Sequence, residues 1–125
     1  MLTSNLMFVI YLAVCGLIFL GLGIPLLQGK IGMNNSYGIQ FRAAFASDEM
    51  WHDMNTYGAR HIVGGGIILL IDAVALMFVP VGRGGVPPFV VIGFPALVAF
   101  VGATFTFRYG LRKAREREDL PTDHE

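Results

Sequence analysis

Apolar residues in this chain come in long unbroken runs, not in the strict alternation of a half-buried strand. A helix rises about 1.5 Å per residue, so crossing a hydrocarbon core of about 30 Å takes about 20 apolar residues. Three stretches meet that requirement, at about 6–27, 62–79 and 88–107. They predict three transmembrane helices, since membrane strands would be shorter and would alternate in polarity. Proline and glycine crowd the short link between the second and third runs, at Pro80, Gly82, Gly84, Gly85 and Pro87, and predict a tight antiparallel hairpin. Pro88 suits the first turn of the third helix, and Pro95 inside it predicts a kink. The first run has neither a positively charged leader nor a small-residue cleavage site, so it reads as a span and not as a removed signal.

The stretch from Gln28 to His61 is too long for a simple connector. Its first part, Gly29 to Tyr37, is rich in Gly and Asn and predicts turns. From Ser47 to His61 it predicts a helix. Ser47 is a good N-cap, Asp48 and Glu49 suit the first turn, and Met50, Trp51, Met54 and Tyr57 form an apolar stripe. Such a helix is expected to lie in the membrane interface, with Trp51 at headgroup depth. No proline separates it from the second span, so one continuous helix is the alternative. His61, Gly65, Ile68 and Asp72 would then share a face. The expected fold is therefore all-α: three transmembrane helices plus a cytoplasmic interfacial helix. The single membrane domain covers residues 1–125, with a frayed helical tail at 108–125.

Composition narrows the class. Of 125 residues, 54% are hydrophobic and 14% charged, against about 25% charged in a soluble domain. A soluble enzyme, a nucleic-acid binder and a disordered linker are excluded on that balance. The net charge of zero hides a strong asymmetry. Lys30, Arg42 and Arg60 lie in the first loop, and Arg108, Arg112, Lys113, Arg115 and Arg117 follow the third run. Only Arg83 falls on the opposite side. The positive-inside rule then places the loop and the C-terminus in the cytoplasm and the N-terminus outside.

Asp72 is the only charge between Ile62 and Gly82. Carboxylates at such depth face a bundle interior or water, which suggests a proton- or ligand-responsive group. The alternative is a packing role, with the carboxyl hydrogen-bonded to Thr104, Thr106 or a backbone carbonyl. Asp48 and His52 stand four residues apart, but no paired cysteines or HExxH motif accompany them, so no metal is expected. The lone Cys15 reads as a small buried hydrophobe. Nucleophile elbow, phosphate loop and dinucleotide fingerprint are all lacking, so no cofactor is expected either. Gly64, Gly65 and Gly66, like Gly16 and Gly23, read as sites of close helix packing.

One order of residues is distinctive: Ile24-Pro25, Gly29-Lys30-Ile31-Gly32, Asn35-Ser36-Tyr37-Gly38-Ile39, Ser47-Asp48-Glu49-Met50-Trp51 and then Asn55. Over about residues 21–76 it resembles the SdpI immunity-protein family of small bacterial membrane proteins. That family has an Ile-Pro at a span end, an Asn-x-x-Gly-Ile-Arg turn, a tryptophan eleven residues after the arginine, and an asparagine four residues later. Here Gln40 stands where the family arginine is expected, and Arg42 is the nearest cation. Either Arg42 takes over that role or the arginine-dependent function is lost, because glutamine does not replace a guanidinium at an anion site.

The resemblance implies a multi-pass protein of the bacterial inner membrane that protects against a toxic peptide or signals to a cytoplasmic regulator. The leading expectation is thus binding rather than catalysis. Its candidate residues are Asn35, Gly38, Gln40, Arg42, Trp51, Asn55, His61 and Asp72. The expected partners are the lipid bilayer, a toxic peptide or cytoplasmic regulator, and further copies of the chain, with no nucleic acid. Two rivals stand beside it. One is a membrane enzyme or transporter using Asp72, His61 and Arg42; the other is a structural subunit packing through its glycine faces.

Overall fold

The computed structural model describes residues 2–120, with side-chain surroundings from Asn5 onward. It is an all-α bundle of three helices: α1 (Leu2–Leu27), α2 (Asp48–Ala75) and α3 (Pro88–Glu118), with a 3-10 turn at Arg42–Ala46. All three helices are long and apolar enough to cross a membrane. The far end of the expected frayed tail, 121–125, lies outside the described residues.

α2 has 28 residues and α3 has 31, which gives lengths of about 42 and 46 Å at 1.5 Å per residue. Both exceed the hydrocarbon thickness of about 30 Å. Their excess projects at the end of the bundle that carries the 28–47 loop, here the loop end. The opposite end carries the 76–87 connection and is the hairpin end.

The helix expected in the membrane interface is the first half of α2. Nothing breaks the chain between it and the span, and Gly58, its weakest helix former, is covered by Ile39 and Thr106. Ser47 Oγ accepts from Met50 N at 3.1 Å, as its N-cap position foretells. Met50, Trp51 and Met54 of the apolar stripe are buried and Tyr57 is half-buried, so Trp51 packs inside the protein. Its exposure is 0% because the loop folds over it.

At the hairpin end, α2 stops at Ala75 and not at the expected residue 79. Pro80, four residues after Leu76, has no N–H to donate to Leu76 O, and Asn5, a polar residue 3% exposed inside α1, supplies the missing donor. Its amide nitrogen donates to Leu76 O at 2.8 Å and Val79 O at 2.7 Å, and its Oδ1 accepts from Val81 N at 3.1 Å. Those carbonyls lie past the last turn of α2, where intrahelical partners are lacking, and the amide satisfies them. The hairpin closes with Val86 N donating to Pro80 O and Gly82 N to Val86 O, each at 2.9 Å. Pro88 opens α3, and Pro95 is buried within the helix.

α1 and α3 each pack chiefly on α2, and α1 does so more extensively. At the α1–α2 crossing, a Cβ on Gly16 would stand 2.9 Å from Gly66 O, and one on Gly66 would stand 2.9 Å from Gly16 O. Backbone thus meets backbone there, as small-residue membrane interfaces allow. Gly23 touches Ile62 and Val63, and Gly65 touches Val98. Gly64, by contrast, has open space where its Cβ would be.

Candidate functional site

The 28–47 loop is organised by side chains that satisfy its own backbone. α1 ends in a left-handed Gly29 (φ 71°), with Gly29 N donating to Leu26 O at 3.2 Å and Lys30 N to Pro25 O at 3.1 Å. This is the paired bonding of a Schellman cap, and it turns the chain back over the bundle. Asn34 then builds the next turn. Its Oδ1 accepts from Ser36 N at 2.9 Å and Tyr37 N at 2.6 Å, and its Nδ2 donates to Gly32 O and Tyr37 O, each at 2.8 Å. The Tyr37 hydroxyl donates to Leu22 O, pinning the turn to α1.

The loop then docks on α2 through three residues of the sequence pattern. Asn55 is 2% exposed; its Oδ1 accepts from Ile39 N at 2.6 Å and its Nδ2 donates to Trp51 O at 2.9 Å. Trp51 Nε1 donates to Ile31 O at 2.9 Å. Gly38, at φ 119°, lies against both: an added Cβ would be 2.8 Å from Asn55 Oδ1 and 2.9 Å from the Trp51 ring. The spacing of glycine, tryptophan and asparagine along the sequence is thus the record of one contact, in which a glycine turn lies flat on an indole and is held by an amide. Phe45 packs on Trp51 with ring centroids 5.5 Å apart.

Beneath the docked segment lies a cavity of about 340 Å³. α1 supplies Phe19 and Leu22 to its walls, α2 supplies Gly58 and His61, and α3 supplies Val98, Ala99, Ala103 and Thr106. Ile39, Gln40 and Phe41 close it at the loop end. The lining is apolar except for Gln40, His61 and Thr106, and Thr106 Oγ1 already donates to Gly102 O at 2.8 Å. The His61 ring stacks on Phe105 at 5.6 Å and meets the edge of Tyr57 at 5.1 Å, while Tyr57 stacks on Tyr109 at 4.0 Å.

The eight candidate residues therefore fall in separate places. Gly38, Trp51 and Asn55 form the docking contact, and Gln40 and His61 line the cavity. Asn35 is exposed beside the turn that Asn34 builds, and Arg42 is exposed at the start of the 3-10 turn. Asp72 lies in the last turn of α2, eleven residues from His61, which is about 16 Å along the helix. It lines a second cavity of about 280 Å³ near the hairpin end, together with Leu12, Val91 and Phe94. The hydroxyls expected to bond it do not reach it: Thr104 donates to Phe100 O and Thr106 to Gly102 O. Among the described residues, no group of three or more His, Cys, Asp or Glu side chains is placed to hold a metal ion.

Asn34 and Asn5 are not among the residues the sequence singles out, and Tyr37 is there only as part of the family pattern. The signal for Asn5 was present, since an amide inside an otherwise apolar span needs partners. Asn34 and Asn35 offer the same turn chemistry, and nothing in the order of residues separates them.

Residues 30–106 match the model of the SdpI/YfhL protein family, which takes in the docked loop, all of α2 and the membrane half of α3. No curated protein matches the chain, and no solved structure does.

Proposed function

The chain belongs to the SdpI/YfhL protein family, and we propose that it is a binding protein of the immunity type, which takes up an apolar segment of a membrane-active toxic peptide in the cavity under the loop. The observation that carries this reading is the cavity itself, apolar on three helices and closed by the segment that bears the family pattern. Ligand sites have this character, largely apolar with a few polar groups to orient what enters. Gln40 and His61 are those groups. Gln40 in place of a cationic side chain suits an uncharged or amide-bearing ligand rather than an anion.

We place the protein in the bacterial inner membrane as one membrane unit, loop end inward, following the distribution of Lys and Arg. A catalytic reading gains no support from the geometry, because Asp72, His61 and Arg42 share no common site.

The test is protection. A sensitive bacterial host expressing the chain, challenged with peptide secreted by the source strain, should survive at least tenfold higher toxin than the same host without it. Unchanged sensitivity with the protein correctly inserted would overturn the immunity reading.

A further inference from the structure

A groove on the outer face of α2 and α3 combines two chemistries in the order of a phospholipid. Toward the hairpin end it is an apolar trough of about 350 Å³, with Gly64 and Ile68 on α2 facing Phe94, Leu97 and Val101 on α3. Gly64 lacks any neighbour within 4 Å of its Cβ position and so leaves the trough open. Toward the loop end the same helix faces continue into a wider groove of about 610 Å³, formed by Tyr57, Phe105, Leu111 and three arginines, Arg108, Arg112 and Arg115. The two parts are contiguous by helical spacing: positions 57, 61, 64 and 68 on α2, and 94, 98, 101, 105, 108 and 112 on α3, recur at three and four. Arg60 stands where they join.

The charges of this groove are not consumed by the fold. Among the described residues the ion pairs join Lys113 to Glu116 at 3.7 Å and Arg117 to Glu49 at 3.0 Å. Arg108, Arg112 and Arg115 are exposed and have no such partner. They begin directly after the uncharged run 84–107, where a helix leaves hydrocarbon. Guanidinium groups bind phosphate oxygens in a two-pronged fashion, and exposed Phe105 and Leu111 supply apolar contact at the same level.

We propose that this groove is a binding site for one anionic phospholipid, its phosphate held by Arg108, Arg112 and Arg115 and one acyl chain lying over Gly64 between α2 and α3. The test uses the full chain in detergent and counts retained lipid by native mass spectrometry. The probes are phosphatidylglycerol, phosphatidylcholine with the same acyl chains, and inorganic phosphate.

One phosphatidylglycerol should be retained about tenfold better than phosphatidylcholine. R108Q/R112Q/R115Q should lose that preference, and R112Q alone should weaken it several-fold. Gly64→Leu places a side chain in the trough from a position whose Cβ has no neighbour within 4 Å, so it should reduce retention of both lipids while leaving the fold intact. R117Q, which removes equal charge from the face paired with Glu49, should leave the lipid preference unchanged. Equal retention of the two lipids, an R117Q loss as large as that of R112Q, or inorganic phosphate displacing the lipid at comparable concentration would each overturn the proposal. The last result would assign the arginines to a soluble anion instead.

Discussion

A side chain added at Gly38 would have to occupy a left-handed backbone conformation and the space already held by Asn55 Oδ1 and the Trp51 ring. Gly38→Ala should therefore destabilise the loop end by about 1–3 kcal/mol. The fluorescence of the single tryptophan, Trp51, followed during thermal unfolding in detergent, reads that loss directly. Asn55→Ala acts on the other half of the contact. It leaves Ile39 N–H without its acceptor at a part-buried position, a cost of about 1 kcal/mol. Hydrogen exchange at the Ile39 amide should accelerate, with the amides around Gly66 unchanged. These residues were legible in the sequence because their contact is a fixed spacing of unusual residue types. Asn35, Arg42 and Asp72 stood out for equally good local reasons, but whether they meet depends on where the loop lands. That is decided by Asn34 and Tyr37 bonding to backbone carbonyls, and backbone acceptors leave no mark on a sequence.

Among the elements, the spans were legible because the bilayer imposes a length and a composition that few other settings require. Their ends were not. α2 runs on from the loop because nothing interrupts it, and just past its end Asn5, distant in sequence, takes up the carbonyls of Leu76 and Val79. Asn5→Leu should lower the melting temperature and speed exchange at the Val81 amide, while Trp51 fluorescence, at the other end, stays as it was. The glycines of α2 divide by face in the same way. Gly66→Leu would drive a side chain into Gly16 O and should separate α1 from α2, with a loss of helix protection measured by exchange. Gly64→Leu meets open space and should not.

For the whole molecule, the three helices are joined unevenly: α2 is the common wall, and α1 and α3 stand apart enough to leave the cavity between them. The loop closes that cavity at the end where α2 and α3 project, and the Arg117 pairing with Glu49 and Ser47 ties the two projections together. Charge distribution, helix lengths and the family pattern all concentrate at this end, while the hairpin end is a short turn held by its own backbone bonds and the Asn5 amide. Binding under the loop needs the cavity to be empty, and filling it should abolish function. Ala103→Trp occupies the cavity from α3, whereas Phe100→Trp places the same ring on the exposed outer face, where Phe100 is 70% exposed. In toxin-challenged cells with equal amounts of inserted protein, Ala103→Trp should abolish protection and Phe100→Trp should retain it; full protection by Ala103→Trp would mean that the peptide is not bound in this cavity.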